Sequence, residues 1–101
     1  MSRYLFSRYV EEDLREISDH IARDNSPSTR RMMVRFVNAF RRLARRPELG
    51  HVREDCRIRQ SRFWPVGAYL ILHLATRTPI EILGVVHGAR DVPALMNRRT
   101  Q

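Results

Sequence analysis

The chain has 101 residues, of which 43% are hydrophobic, and a formal net charge of +8 at pH 7. Its length predicts a single domain over residues 1–101 with a thin core. Its hydrophobic content is typical of a globular protein and argues against full disorder. It has no apolar run long enough to cross a bilayer, and its N-terminus lacks the pattern of a secretory signal. We therefore expect a cytoplasmic protein without a membrane partner.

All 19 basic residues are arginines, and lysine is absent. This excludes lysine as a general base, a Schiff-base nucleophile or a phosphate-loop cation, whereas arginine stabilises phosphate charge but does not deprotonate. Six of the eleven acidic residues precede residue 25, and residues 26–47 hold seven arginines and no acid. Such a basic surface favours an acidic partner, either a nucleic acid or an acidic protein segment.

The single cysteine, Cys56, excludes an internal disulfide and fits a reducing compartment. We interpret it as a small buried hydrophobe. His20, His51 and His73 lie far apart in the sequence and lack the spacing of metal ligands. The sequence therefore predicts neither a metal site nor a cofactor.

The first half of the chain predicts a strand and two helices. Residues 3–6 have the composition of a short strand. After a possible cap at Ser7 comes one helical stripe of apolar residues, Val10, Leu14, Ile17 and Ile21. Residues 24–27 break this helix with a cap followed by proline. The second helix, which ends near Pro47, is expected to bury Met33, Phe36, Val37, Phe40, Leu43 and Ala44. Two helices with so short a break predict a helical hairpin.

The second half predicts three strands and a last helix. A loop over 47–55 precedes three strand segments at 58–64, 68–75 and 80–86. Turn residues between these segments predict an antiparallel meander. Asp91 is positioned to cap a short helix through residue 96, and the tail from residue 98 is expected to fray.

The predicted order of elements is β-α-α-β-β-β with a short C-terminal helix. This is an α+β fold in which the helical hairpin packs on one face of a small antiparallel sheet. The other face of the sheet is expected to be partly open.

Three sequence blocks carry a family resemblance: P-E-L-G at 47–50, R-F-W-P-V-G-A-Y-L-I-L-H at 62–73 and V-V-H-G-A-R-D at 85–91. Together with the order of elements they resemble the RelE/ParE toxins of bacterial type II toxin–antitoxin systems, and among these the ParE, or plasmid stabilisation, branch. The resemblance implies a cognate antitoxin, ParD-like with a ribbon-helix-helix domain, whose C-terminal segment wraps the toxin. It also implies that operator DNA is bound only through the antitoxin complex.

The two branches imply different activities. The ParE branch poisons DNA gyrase and is not itself an enzyme, whereas the RelE branch cuts mRNA on the ribosome. A ribonuclease needs cations at the scissile phosphate and a group that moves protons, and Arg62, His87 and Arg90 are the candidates here. Tyr69 stands where the RelE branch often carries arginine, and no tyrosine follows it. The resemblance therefore favours the gyrase poison, with the ribosome-dependent endoribonuclease as the alternative.

Two further features bear on activity. Many ParE relatives carry arginine where Gly84 stands, so this chain lacks one basic side chain on the last strand. A basic DNA-binding module or an inactive toxin is a third possibility, although no helix-turn-helix signature supports the DNA-binding module.

The candidate target-binding residues are Arg62, Trp64, Tyr69, His87 and Arg90. Arg62 and Trp64 share one face of a strand, and we expect them to face the turn at 87–91. Structural alternatives remain open: Trp64 at the edge of the core, Tyr69 packing on the sheet, and Arg90 paired with Asp91.

The arginine-rich second helix is a candidate for antitoxin binding. A partner that folds on binding suits a surface where exposed apolar edges adjoin arginines. We therefore predict that Arg31, Arg35 and Arg42 meet acidic residues of the antitoxin.

Overall fold

Three helices and five strands make up the part of the chain that the computed structural model describes, residues 3–24, 26–52, 61–76 and 78–99. In chain order they are β1 (Tyr4–Phe6), α1 (Val10–Asp24), α2 (Ser26–Arg45), β2 (His51–Val52), β3 (Ser61–Val66), β4 (Tyr69–Leu74), β5 (Ile80–His87) and α3 (Val92–Arg99). The α+β class, the helical hairpin and the C-terminal helix are confirmed. None of these three helices is long and apolar enough to cross a membrane. Cys56 and the first residues of the strand predicted at 58–64 lie outside the described residues.

The strands form one mixed sheet in the order β1-β5-β4-β3-β2. The predicted meander is confirmed as β3, β4 and β5, which pair antiparallel. The sheet is larger than predicted because β1 adds to β5 in parallel, with Tyr4 opposite Ile80. The chain between these two parallel strands contains the helical hairpin and the strands β2, β3 and β4, so it is far longer than the minimum that a parallel pair needs. At the other edge, two residues of the predicted loop, His51 and Val52, pair with β3.

The helical hairpin covers one face of the sheet. Its apolar stripe places Val10, Phe36, Phe40 and Leu43 in the core, each fully buried. They pack on sheet residues that include Val66, Tyr69, Ile71, Ile82 and Val85. Val37, which we expected in the core, is 36% exposed, because it lies about 100° around α2 from Phe36.

The second face of the sheet is covered in part by α3, while Phe63, Leu70 and Leu74 on this face are only partly buried. Val92 and Met96 are buried and pack with Leu72, Leu83 and Val86. The predicted cap is confirmed, since Asp91 Oδ1 accepts a hydrogen bond from the Ala94 amide at 3.1 Å. The helix continues to Arg99, three residues beyond its predicted end. The expectation that Arg98 and Arg99 fray is therefore wrong.

Candidate functional site

A cleft of about 500 Å³ lies between α1 and the end of β5. Three of the predicted target-binding residues line its sheet side, and the outer turns of α1 line the other. The residues that matter for its chemistry are Tyr69, His87 and Arg90 on the first side and Glu16, Asp19, His20 and Arg23 on the second. The fold thus brings together three predicted site residues and adds a helical wall that the sequence did not indicate.

Tyr69 and His87 form the floor of the cleft. They are direct cross-strand partners, and their rings meet edge to face with centroids 5.3 Å apart. Tyr69 is 8% exposed and packs edge-on against Phe36 at 5.8 Å. Its ring therefore belongs to the core, in agreement with the structural alternative, and it supports the exposed imidazole of His87.

A tight turn fixes the orientation of the His87 ring. The Ala89 amide donates a hydrogen bond to His87 Nδ1 at 3.0 Å, and the Arg90 amide donates to the His87 carbonyl at 3.1 Å. A ring nitrogen that accepts a hydrogen bond carries no proton, so Nε2 is the donor in this arrangement. His87 therefore presents a hydrogen-bond donor to the cleft, and Arg90 is exposed beside it.

The outer edge of β5 is sealed along part of its length. The strand β1 pairs with β5 only as far as Ile82, after which Ser7 takes over. Its amide donates to the Ile82 carbonyl at 2.9 Å, and its hydroxyl donates to the Leu83 carbonyl at 2.8 Å. Asp13 then accepts the Val85 amide at 3.0 Å. The backbone groups on this edge of β5 therefore have hydrogen-bond partners as far as the Val85 amide.

Beyond that point the edge of β5 is open. The Gly88 amide bonds to the Ala68 carbonyl, which makes Tyr69 and His87 a non-hydrogen-bonded pair of the ladder. The His87 amide and the Val85 carbonyl therefore point away from β4 and into the cleft. No group in the described ranges bonds to either of them. The cleft thus offers one free donor and one free acceptor of a strand edge.

The α1 wall of the cleft carries unpaired carboxylates. Glu16 and Asp19 are exposed, and neither has an ion pair with any residue in the described ranges. Asp13, deeper on the same wall, differs because Arg99 neutralises it. The two side chains make a bidentate pair with N–O distances of 2.8 and 2.6 Å. The exposed charges of this wall are therefore the carboxylates of Glu16 and Asp19 and the guanidinium of Arg23, which lines the cleft one turn further along α1.

Arg99 also fills the space beside Gly84. A Cβ on Gly84 would lie 2.8 Å from Arg99 Nη1 and 3.3 Å from Asp13 Oδ2. The guanidinium is stacked on the Tyr9 ring at 4.7 Å, and the Tyr9 hydroxyl donates to the Arg99 carbonyl at 3.1 Å. The family resemblance marked Gly84 as a position that lacks the arginine of relatives. Here Arg99 brings a guanidinium to that position from α3.

Arg62 and Trp64 lie away from the cleft. Arg62 donates to the carbonyl oxygens of Glu48 and Gly50 at 3.0 and 3.2 Å, so it holds the turn that follows α2. Trp64 packs on the core. Val66 of β3, Tyr69 of β4 and His87 of β5 lie side by side across the sheet. Arg62 precedes Val66 by four residues, so it lies about 13 Å along the strand and about 10 Å across the sheet from His87. The expected juxtaposition of Arg62 and Trp64 with the turn at 87–91 is not found.

His73 is the most enclosed titratable side chain near Arg62. It is fully buried, and its Nε2 lies 3.1 Å from the Pro47 carbonyl, while Nδ1 has no partner. Burial lowers the pKa of His73, the Pro47 hydrogen bond opposes this, and the charge of Arg62 lowers it further. His73 is therefore held neutral beneath the turn. Within the described ranges, no three His, Cys, Asp or Glu residues are grouped so as to hold a metal ion.

The three arginines predicted to bind the antitoxin share one flank of α2. Each already has a neighbour within the chain: Arg31 donates to the Ser28 hydroxyl at 3.2 Å, and Arg42 lies over the Trp64 ring at 5.5 Å. The guanidinium of Arg35 lies beside Gly67, 3.3 Å from the position of a Cβ there. All three remain exposed.

Comparison with known proteins identifies the family of the chain. The family described as "ParE toxin of type II toxin-antitoxin system, parDE" matches residues 4–92. The match runs from β1 to the first residue of α3 and so includes the hairpin, the whole described sheet and the cleft. No curated protein matches the chain. Membership of this family implies a cognate antitoxin. The chain belongs to the ParE toxin family of type II toxin–antitoxin systems.

Proposed function

We propose that this toxin arrests growth by binding DNA gyrase through the cleft between α1 and β5, and that a ParD-like antitoxin neutralises it. The observation that carries the proposal is the pair of unpaired carboxylates, Glu16 and Asp19, opposite His87 and Arg90. With Arg23 and Arg90 they give the cleft charges of both signs, unlike the uniformly positive surface that binds the phosphates of a nucleic acid. The charges on the two walls of the cleft suit a protein segment, because its basic and acidic side chains can each pair with a charge of opposite sign.

The open edge of β5 defines how such a segment binds. An extended peptide adds to a free strand edge by main-chain hydrogen bonds. Here its amide would donate to the Val85 carbonyl and its carbonyl would accept from the His87 amide. Ile17 and the Tyr69 ring line the same cleft and supply apolar contacts. The main-chain bonds supply affinity, and Glu16, Asp19 and Arg90 supply specificity.

The ribonuclease alternative is disfavoured by the positions of its candidate residues. Arg62 is engaged by two backbone carbonyls and lies far from the other candidates, His87 and Arg90. His87 presents a donor and uses its other nitrogen within its own turn. Cleavage of RNA requires a base and phosphate-binding cations around one scissile bond. These side chains do not converge on one position.

Expression of the toxin alone in a bacterial host tests the proposal. We expect an SOS response and filamentous cells without immediate arrest of translation, and inhibition of supercoiling by purified gyrase. Rapid translation arrest with mRNA cut within codons would overturn the proposal in favour of the ribonuclease. Absence of toxicity together with absence of gyrase binding would identify an inactive toxin.

The antitoxin is proposed to have a ribbon-helix-helix domain and to contact the arginine-rich face of α2, including Arg31, Arg35 and Arg42. Operator DNA is then bound by the toxin–antitoxin complex and not by the toxin. Footprinting of the operator with the toxin alone, the antitoxin alone and the complex tests this arrangement. A footprint from the toxin alone would contradict it.

A further inference from the structure

Two backbone groups on the open edge of β5 lie on either side of Val86. Among the described residues, neither the Val85 carbonyl nor the His87 amide has a hydrogen-bond partner. The other two groups that these residues direct to the same edge are occupied. The Val85 amide donates to Asp13 Oδ2 at 3.0 Å, and the His87 carbonyl accepts from the Arg90 amide at 3.1 Å. The edge therefore offers one acceptor followed by one donor.

This pattern distinguishes the two ways in which a strand adds to an edge. In a parallel pair, one residue of the added strand donates to the carbonyl that precedes the residue opposite it and accepts from the amide that follows that residue. The Val85 carbonyl and the His87 amide supply these two groups for a residue opposite Val86. In an antiparallel pair, opposite residues exchange both bonds. The partners of Val85 and His87 would then each meet one occupied group.

The occupied groups disfavour the antiparallel arrangement. A residue opposite Val85 would direct its carbonyl oxygen at the Asp13 carboxylate, so that one acceptor faces another. A residue opposite His87 would direct its amide at a carbonyl that already bonds to the Arg90 amide. Polar groups enclosed in an interface without a partner weaken binding. Parallel addition of one residue leaves no such group.

We propose that the target segment binds parallel to β5, with a single residue opposite Val86 that makes both main-chain hydrogen bonds. This inference rests on the proposed function and deepens it, because it gives the bound segment a direction and a register. The strand β1 already pairs in parallel with the same edge, where Phe6 lies opposite Ile82. The target segment would continue the line of β1 beyond Ser7.

The register also determines which side chains of the segment enter the cleft. Val86 packs with residues of α3, and the residue opposite Val86 shares that face of the sheet. The residues immediately before and after it point to the other face, where Glu16 and Asp19 line the α1 wall. We therefore expect lysine or arginine at one of these two positions of the segment.

A second copy of this chain does not suit the same edge. Two copies related by a two-fold axis present the same strand to each other, and strands related in this way run antiparallel. The occupied groups at Val85 and His87 that disfavour an antiparallel peptide therefore also disfavour such a dimer. The open edge suits an extended segment of another protein.

Photocrosslinking to intact gyrase measures the direction of the segment. A photoreactive benzophenone side chain is placed at Arg8, before the open edge, or at Ala89, after it; both positions are exposed. Mass spectrometry identifies the gyrase residues that each position captures. We expect both crosslinks within one stretch of roughly ten residues, with the crosslink from Arg8 nearer the N-terminus of gyrase. Val52, exposed on β2 at the far edge of the sheet, is the control position and should not capture this stretch.

Two variants of one residue isolate the main-chain bond. His87→Ala and His87→Pro both remove the imidazole, but only proline also removes the amide hydrogen. Proline is tolerated where a strand amide faces away from the neighbouring strand, so we expect the pairing with β4 to persist in circular dichroism and thermal unfolding. We expect His87→Pro to bind gyrase roughly tenfold more weakly than His87→Ala.

Four outcomes would overturn the inference: the reverse order of the two crosslinks; crosslinks in separate regions of gyrase, or none from Ala89, while the toxin is bound; a captured stretch without lysine or arginine; or equal affinity of folded His87→Pro and His87→Ala. If His87→Pro does not fold, the order of the crosslinks decides. Failure of the proposed function looks different, because the wild-type toxin would then neither bind gyrase nor inhibit supercoiling, and the inference would be wrong with it.

Discussion

A single carboxylate, that of Asp13, connects three parts of the molecule. It belongs to α1, accepts the Val85 amide of β5 and holds Arg99 of α3 in a bidentate pair. Its side chain is only 5% exposed, so water does little to stabilise its charge and Arg99 must do so. The same contact closes the edge of β5 up to the Val85 amide. Asp13 therefore determines where the open edge in the cleft begins.

Replacement of Arg99 tests the energetic importance of this pair. Arg99→Ala leaves a buried carboxylate without its cation, and we expect the free energy of unfolding to fall by about 3–5 kcal/mol. Urea denaturation measures the change. Arg98→Ala is the control, because Arg98 is exposed in the same turn of α3 and should change stability by no more than about 0.5 kcal/mol. Similar small losses in both variants would show that the pair does not stabilise the fold.

His73 gives the stability of the protein a dependence on pH. Burial lowers the pKa of His73 from its usual value of 6.5, so the unfolded chain takes up a proton in a pH range where the folded protein does not. By linkage, this contribution is constant above pH about 6.5 and is lost as the pH falls below it. The charge of Arg62, on the strand opposite, acts in the same direction. We therefore expect acid to destabilise the fold in part through His73.

The variant His73→Gln isolates this effect, because glutamine keeps a donor for the Pro47 carbonyl and does not titrate. The free energy of unfolding, measured from pH 8 to pH 5 by urea denaturation, should fall less steeply in the variant than in the wild type below pH about 6.5. His20, His51 and His87 are present in both proteins and cancel in the difference. Parallel curves would show that burial does not perturb His73.

Among the elements, α3 depends on its cap and on its position over the sheet. Asp91→Ala removes the acceptor for the Ala94 amide, and we expect it to cost about 1 kcal/mol. Asp91→Asn keeps an acceptor at the N-cap and should remain close to the wild type. Thermal unfolding monitored by circular dichroism measures both. An alanine variant that melts at the wild-type temperature would mean that packing of Val92 and Met96 alone fixes the start of the helix.

The helices and the meander were predictable because their signals are local. The stripe from Val10 to Ile21 and the turns around β4 are patterns of a few residues each. The pairing of β1 with β5 was not predictable, because it joins residues 4–6 to residues 80–82 and leaves no periodicity in the sequence. The length of α3 escaped prediction for the same reason, since Asp13 and Tyr9 fix its last turn from a distance.

The cleft was predictable on one side only. The block at 85–91 follows a strand that pairs with Tyr69, and this adjacency brings Tyr69, His87 and Arg90 together. Glu16 and Asp19 carry no such signal, because acidic residues on an amphipathic helix usually form a solvated face. Only the packing of α1 beside β5 places them opposite His87. Arg62 was assigned to this site from its position on the strand, but its guanidinium donates hydrogen bonds to two backbone carbonyls elsewhere.

At the scale of the whole molecule, charge is divided between two surfaces. The net charge of +8 is concentrated on α2, whereas the cleft beside α1 holds two unpaired carboxylates. The cleft carries charges of both signs, since Arg23 and Arg90 also line it, whereas the charges of α2 are all positive, so a partner matched to one surface does not match the other. The arrangement therefore separates the proposed contact with the target from the proposed contact of the antitoxin with α2, and we expect variants to impair one contact without the other.

Glu16→Lys with Asp19→Lys reverses the charge of the α1 wall. We expect this variant to bind gyrase roughly tenfold more weakly or worse, and to induce no SOS reporter, while its affinity for the antitoxin stays at the wild-type value. Glu11→Lys, a single reversal of charge on α1 outside the cleft, should keep full toxicity. Full toxicity of the Glu16→Lys, Asp19→Lys variant would exclude the cleft as the target surface, and loss of antitoxin binding by it would show that one surface serves both partners.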